Sequence, residues 1–462
     1  MKSLPIKTII EQINGKVLHG TDTLIITDTI TRSRSVKHGS LLFDIYHDHD
    51  MNELLSLNAN CPSCAVVTDK PFNIGMFSDN ITVVQVVDIN IAYLKFIDFY
   101  RALFNIPVIG VTGTCGKTTT KEMIVHILSE DYNVNATHKS FNADFRHLGY
   151  LLDINDDTQV GVFEMGVASP GDLKRCCRYF KPQIGVITNI GIDHLQEFDS
   201  VDDYIMAKAE FIEGLDYKGT LIINADDKNI KKIDFSKYIG NIIQFGYSDQ
   251  SNYKISNVQH INYGLQFTLQ YKDEISDFFI PGYADFNVYN AAAAIVATHA
   301  MGINLKQAGD RLTSFQNVEK HFELKKGING SIVIDDTWST NPTSTEVALK
   351  LLKELSLGKK TIAVLGKMSL LGSESNKYHK KIGQIVASLG IDELIIIGEG
   401  ADKIGLEALQ NGMNRDNIHF CKNTDETYKV LKILLDINSI ALIKTTMMTS
   451  YDDLINKIII RK

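Results

Sequence analysis

The sequence predicts an α/β protein of three domains: a central parallel-sheet domain, a small mixed α/β domain before it, and a Rossmann-like domain after it. Three observations carry this reading. The stretch VIGVTGTCGKTTTKEMI, residues 108–124, passes from an apolar run through glycines into a helix-like segment. PVIGVTG, VGVFEMG, QIGVITNIG and TLIINADD are short buried-strand signals with helical segments in most of the intervals, the spacing of parallel strands joined by crossover helices. Near residue 320 a second series begins, SIVIDDTW, KTIAVLGKM, DELIIIGEG and NSIALIKTT, with VALKLLKEL and KKIGQIVASLG reading as amphipathic helices between its strands.

The first hundred residues differ. TLIITD, SLLFDI, CAVVTD and ITVVQVVD are short apolar or alternating runs separated by polar turns, a pattern of a small mixed domain rather than regular βαβ repeats. IAYLKFIDFYRALFN then reads as a linking helix. The domain boundaries expected from these shifts are 1–100, 101–316 and 317–462. At 462 residues the chain is long enough for several cores, and 44% hydrophobic with 22% charged residues is ordinary for a soluble globular protein. A net charge of -8 argues against nucleic-acid binding driven by phosphate neutralisation. The N-terminus lacks the apolar core of a signal peptide and no run has the length of a membrane span, so the expectation is a cytoplasmic monomer without membrane insertion. Cys61 and Cys64 form one CPSC without a second pair at zinc spacing, so the cysteines read as reduced packing thiols.

The glycine stretch has the outline of a phosphate-binding loop. Gly110, Gly113 and Gly116 allow the tight turn that aims backbone N–H groups at phosphate oxygens, and Gly113, Thr114, Gly116, Lys117, Thr118 and Thr119 are expected to bind the nucleotide. Lys117 is placed to reach the outer phosphates as a point charge, and the Thr118 hydroxyl suits Mg²⁺. The usual spacing of such loops fails by one, because Val111 occupies the first glycine position and Gly110 lies one residue earlier.

That variant, GVTGTxGKTTT, resembles the ATP loop of the Mur ligase superfamily, with Cys115 where Asn or Ser is common. Further segments resemble the family in the same order over nearly the whole chain. VFEMGVASPGDL (162–173) brings Glu164 to the end of a strand; TNIGIDHLQEFDSVDDYIMAKAEFIEGL (188–215) carries His194 and Lys208; DFNVYNAAAAIVAT (285–298) carries Asn287 and Asn290; DDTWSTNP (335–342) carries Asp336 and Asn341. The resemblance implies an ATP-dependent, ADP-forming carboxylate–amine ligase working through an acyl phosphate, with Mg²⁺. It implies metal ligation by Thr118, Glu164, His194 and Lys208 (as a carbamate), and catalytic roles for Lys117, His194 and Lys208. Asn287 and Asn290 are expected near the adenine, and Asp336 and Asn341 near the nucleotide. Taken singly, Lys208 reads as a solvated helix lysine, Glu164 as an ordinary strand-end carboxylate and Asn290 as a capping or turn residue.

Within the superfamily, EMGVASPGDL, NIGIDHLQEF, DDTWSTNPTS and IAVLGKMSLLGSESNKYHKKIG (362–383) are closest to the branch that adds D-alanyl-D-alanine to UDP-N-acetylmuramoyl-tripeptide in peptidoglycan precursor synthesis. TRSRSVKHGSLLFDI (31–45) resembles that branch's element for the UDP end of the substrate, with Ser33 and Arg34 matching and Arg32 replacing an acidic residue; Asn142 matches a further substrate position. The chain departs from the pattern at KSFNADFRHLGYLL (139–152) and at KHFELKKG (320–327), where His321 and Phe322 replace Gly-Arg. It departs again at Lys367, in place of an aspartate, and at IKTTMMTSYDDL (443–454), where a Ser-Arg pair is lost. Arginine is not readily replaced where it grips carboxylate or phosphate with two bonds. The ATP and magnesium half thus matches the family while the amine-substrate half has drifted, and a paralogue joining a different amino acid or peptide to a non-wall carboxylate is the alternative. The third domain is expected to swing over the ATP site and shield the acyl phosphate from water.

Overall fold

The computed structural model describes residues 1–31, 36–45, 63–70, 77–140, 142 and 144–460. The chain forms two compact units, one made of Met1–Val108, Asp131–Phe163 and Cys176–Lys181, the other of Ile109–Glu130, Glu164–Arg175 and Pro182–Lys462.

The first unit holds a five-stranded sheet in the order Lys16–His19, Ile81–Gln85, Cys64–Thr68, Ser40–Phe43, Asp28–Ile30. Its last four strands run parallel and only Lys16–His19 is antiparallel to its neighbour. The short mixed runs of the sequence therefore conceal a mainly parallel sheet, because strands of three to five residues carry too few positions to display a period. The linking helix is Ile89–Ala102, capped where Asp88 accepts from the Ile91 N–H. Its Tyr93 and Phe96 rings pack on Phe43, with centroids 5.2 and 5.5 Å away.

In the second unit, strands Val108–Thr112, Ile184–Ile187, Thr220–Asn224 and Asn241–Gly246 lie side by side in that order and all run parallel. Val108–Thr112 is buried throughout, as is Ile184–Ile187, which is why both read as unbroken apolar runs. Beyond them Tyr253–Ile261, Gly264–Tyr271 and Glu274–Pro281 form an antiparallel extension. Its tight turns place Asn262 and Lys272 in left-handed backbone, at φ 51° and 54°. The expected strand series did not contain this extension.

The C-terminal sheet has the order Glu323–Lys326, Ile332–Asp336, Ser439–Lys444, Lys360–Leu365, Glu393–Ile397, Ile418–Cys421, all parallel except the first pair. Every strand expected after residue 330 is present, and the two amphipathic segments lie in helices Pro342–Leu355 and Ser375–Ser388. Chain order and sheet order differ here. The last strand inserts between Ile332–Asp336 and Lys360–Leu365, so Lys444 lies in register with Asp336 on one side and Leu365 on the other. Ligands of such sheets gather beyond the carboxyl ends of the strands, where the order reverses.

Helices Ser375–Ser388 and Asp402–Gln410 cross closely at Gly383, where an added Cβ would collide with the Ile404 carbonyl and meet Glu407 Cβ at 2.8 Å. Overpacking against backbone costs about 1–3 kcal/mol. Gly383→Ala is therefore expected to lower the melting temperature measured by calorimetry, while nucleotide affinity stays that of the wild type.

Candidate active site

The site is built outward from the glycine turn. The buried strand Val108–Thr112 ends at Gly113, φ 147°, and helix Lys117–Leu128 starts after Gly116, φ 79°. No side chain caps this helix. The N–H groups of its first turn have no intrahelical partner and carry the positive end of the helix dipole, an arrangement suited to an anion. Between the glycines the chain is clamped. The Thr114 N–H donates to the Asn189 carbonyl at 2.9 Å, and the Cys115 N–H to Asn189 Oδ1 at 3.0 Å. The Cys115 carbonyl accepts from Thr188 Oγ1 at 2.7 Å and Asn189 Nδ2 at 2.9 Å.

Lys117 Nζ donates to the Thr114 carbonyl at 3.1 Å, so its charge sits over the loop. The Thr118 hydroxyl donates to Glu164 Oε2 at 2.8 Å. Glu164 reaches it because the following residue is tied to the loop strand, Met165 N–H to Val111 O and Thr112 Oγ1 to Met165 O, both at 2.8 Å. Glu164 is 1% exposed, so it is a buried carboxyl group at the mouth of the loop rather than a solvated strand end.

Lys208 is also 1% exposed, on helix Val201–Gly214, whose N-cap Ser200 accepts from the Asp203 N–H. Its Nζ lies 3.2 Å from the Gly113 carbonyl and 5.3 Å from the centre of the Tyr204 ring. Burial, reinforced by Lys117, holds its amine well below the ordinary lysine range; Asp193, Glu164 and Asp172 oppose this. The solvated lysine of the single-residue reading is thus a buried amine whose neutral form is favoured by its surroundings. His194 has left-handed backbone, φ 51°, and its N–H donates to Asp193 Oδ1 at 3.0 Å. Burial lowers its pKa; Asp193 raises it, and Lys117 and Lys208 lower it further.

The third domain meets the same loop. Asn341 caps helix Pro342–Leu355, its Oδ1 accepting from the Ser344 N–H at 2.8 Å, while its Nδ2 donates to Asp193 Oδ2 at 3.3 Å. The Cys115 thiol stands 3.8 Å from Asn341 Oδ1, and burial pushes it up to about 11, so the loop carries a neutral thiol. Thr343 Oγ1 accepts from the Ile192 N–H at 2.8 Å, and the Leu370 carbonyl from the Gln196 N–H at 3.2 Å. Asp336 forms an ion pair with Lys444 at 2.8 Å and accepts from the Phe322 N–H at 3.3 Å. Lys444, 2% exposed, also donates to the Ser339 carbonyl at 2.6 Å.

The structure thus brings Gly113, Thr114, Gly116, Lys117, Thr118, Thr119, Glu164, His194, Lys208 and Asn341 around one loop. Asn290 is placed more narrowly than expected. Its amide packs against Gly116, accepts from Thr120 Oγ1 at 3.4 Å and donates to Asn287 Oδ1 at 2.9 Å, so the pair supports the turn. Asn142 lies in the first unit, ahead of helix Asp144–Gly149. Ser33 and Arg34, with Arg32, lie outside the described residues. Sequence reading missed Asp193, which sits beside His194 in the quoted segment, and Lys444, for which only its strand-end position was a signal.

Thr118 and Glu164 set two hard oxygens side by side, and the described residues contain no cluster of three His, Cys, Asp or Glu able to enclose a metal. This donor set suits magnesium, which takes one or two protein oxygens and completes its shell with phosphates and water.

Fold and loop together define a phosphate-loop nucleotide-binding α/β protein in which residues of the third domain contact the loop region. The chain belongs to the Mur ligase family: residues 111–298 match the Mur ligase middle domain and 322–445 the Mur ligase, glutamate ligase domain. It is 29% identical over 426 residues to the UDP-N-acetylmuramoyl-tripeptide--D-alanyl-D-alanine ligase of Bacillus subtilis, covering 91% of each chain. Among solved structures it shares the fold of MurF from Acinetobacter baumannii, at a TM-score of 0.86 and 23% identity over 99% of this chain and 98% of that one. It also shares the fold of the MurF ligase from Thermotoga maritima in complex with ADP, at 0.79 and 21% over 93% and 96%.

Gly116→Ala is expected to weaken ATP binding at least tenfold in calorimetric titration. Left-handed backbone costs alanine roughly 1–2 kcal/mol, and the new Cβ would collide with Asn290 Oδ1, displacing the turn.

Proposed function

We propose that this protein is an ATP-dependent amide-bond-forming ligase that adds D-alanyl-D-alanine to UDP-N-acetylmuramoyl-tripeptide. The observation that carries the reading is the convergence of Lys117, the Thr118–Glu164 pair and the buried Lys208 on one glycine turn, in a chain similar over 91% of its length to a ligase of that activity. We take the protein to act as a monomer.

The chemistry follows from what a carboxylate lacks. It is a poor electrophile, so its oxygen attacks the terminal phosphorus of ATP and ADP departs. The acyl phosphate then accepts the amine nitrogen at carbon, a proton is lost from nitrogen, and phosphate leaves from the tetrahedral intermediate. Anionic charge builds throughout, and the first-turn N–H groups and Lys117 are fixed donors aimed at it. Thr118 and Glu164 would hold magnesium, which supplies charge neutralisation at the phosphates. His194 and Lys208 complete the metal-facing set in this reading. The neutral Lys208 amine attacks the carbon of CO₂, loses a proton and becomes a carbamate, replacing a buried amine by two oxygens that share one negative charge. Asn287 and Asn290 would face the adenine side, Asp336 and Asn341 the nucleotide from the third domain, and Ser33, Arg34 and Asn142 the muramoyl substrate. Asn341 and Thr343, bonded to Asp193 and to the backbone of Ile192, keep water from the acyl phosphate.

A second reading, the same chemistry on another amine or acceptor, is favoured by one observation. Met447 is exposed where the family resemblance implies the arginine of a carboxylate-gripping Ser-Arg pair.

ADP release is expected only when UDP-N-acetylmuramoyl-tripeptide and D-alanyl-D-alanine are both present with magnesium. Turnover with other acceptor–amine pairs but never with these two moves the assignment to the second reading. Lys208→Ala should lose activity by at least a hundredfold, within the range for a group acting only in the transition state. Partial recovery with added short carboxylic acids supports the carbamate, and undiminished activity removes Lys208 from the mechanism.

A further inference from the structure

The helix that carries Lys208 holds a second buried side chain that the mechanism above does not use. Tyr204 lies one turn before Lys208, so the two project from the same face of helix Val201–Gly214. It is among the largest fully buried side chains of the protein. Its ring meets Phe198 edge-on, with centroids 5.2 Å apart, and the Lys208 amine stands over the ring, 5.3 Å from its centre. A buried phenol needs a hydrogen-bond partner for its hydroxyl. Tyr204 finds one in the phosphate loop, where its Oη lies 3.1 Å from Thr114 Oγ1. Among the described residues this is the only hydrogen bond the phenol forms. Burial, reinforced by Asp193, raises its pKa, so the hydroxyl keeps its hydrogen.

Thr114 Oγ1 also accepts from the Gly191 N–H at 2.9 Å. One oxygen thus joins three segments: the loop, the helix of Lys208 and the stretch that leads to Asp193 and His194. The helix is held to consecutive loop residues by two side chains one turn apart, Lys208 at the Gly113 carbonyl and Tyr204 at Thr114. These two bonds are not equivalent. The one from Lys208 is made by the reacting nitrogen and is altered when that nitrogen takes up CO₂. The one from Tyr204 persists. The loop does not need the phenol for its own shape, because Asn189 binds the N–H groups of Thr114 and Cys115 and Thr188 binds the Cys115 carbonyl. What the phenol adds is the offset between loop and helix, and with it the place of the Lys208 side chain.

We propose that Tyr204 is a positioning residue of the ligase reaction: through Thr114 its hydroxyl fixes the offset between the phosphate loop and Lys208, so that Lys208 keeps its place beside the loop while its nitrogen reacts. The proposal rests on the ligase reading above. It separates the two parts of the tyrosine. The ring buries the amine, and the hydroxyl sets where that amine stands.

The test compares wild type, Tyr204→Phe, Thr114→Val, the double variant and Thr114→Ser in the whole protein. ADP release with UDP-N-acetylmuramoyl-tripeptide and D-alanyl-D-alanine gives kcat, and calorimetric titration with MgADP gives nucleotide affinity. The stoichiometry of the titration counts the folded molecules, so lost fold is not read as lost rate. Phenylalanine keeps the ring against Phe198 and Lys208 and removes only the hydroxyl. The expected result for Tyr204→Phe is kcat lowered about tenfold, the effect of a displaced group in the site. Its MgADP affinity should stay within about twofold of the wild type, because the loop has its own clamp. Tyr204→Phe should add no further loss to Thr114→Val, and Thr114→Ser, which keeps the hydroxyl, should retain kcat within about twofold. Wild-type kcat in Tyr204→Phe overturns the proposal, as does a kcat that falls in step with MgADP affinity. Additive losses in the double variant overturn it as well. Wild-type protein that releases no ADP with any acceptor–amine pair overturns instead the ligase reading on which the proposal stands.

Discussion

The backbone from Gly113 to Lys117 must turn sharply enough to aim its N–H groups outward from the end of a fully buried strand. It reaches that shape through left-handed or near-extended glycines at both ends and a clamp in the middle, where Thr188 and Asn189 bind both the N–H and the carbonyl of Cys115. Asn290 closes on Gly116 from the next helix. Glu164 and Lys208 are tied to this turn and inherit its rigidity. Glu164 is positioned through Met165 and Val111, and Lys208 through the Gly113 carbonyl.

Around the turn the protein concentrates charge where water is excluded. Lys117, Lys208 and His194 stand against Glu164 and Asp193, and the neighbouring cations and burial together hold the amine and the imidazole toward their neutral forms. Low dielectric makes each of these charges act strongly on an incoming phosphate. Asp193 has a further part, since it is the residue through which Asn341 of the third domain grips the loop region. The helix cap, worth ~1 kcal/mol by itself, is thereby shared between holding a helix and closing a site.

Much of this is legible in the sequence. The glycine stretch, Glu164, His194 and Lys208 lie in segments whose residue types and order carry the chemistry, and the strands of the third domain are long apolar runs. The antiparallel extension after Asn241 was missed because its outer strands are polar and half exposed, and its turns use Asn262 and Lys272 rather than a distinctive glycine pair. Lys444 was unreadable as a site residue for another reason. It acquires its meaning from neighbours far away in the chain, Asp336 and Ser339.

The sequence by itself determined the class of fold, the phosphate loop and the identity of the groups that meet it. These depend on local backbone freedom, apolar period and the side-chain chemistry of short segments. Tertiary structure alone decided that Lys208 is a buried amine, that Asn341 binds Asp193, and that the last strand sets Lys444 beside Asp336. Burial and pairing arise from how strands are ordered and helices packed, and neither quantity is a property of any residue taken with its sequence neighbours.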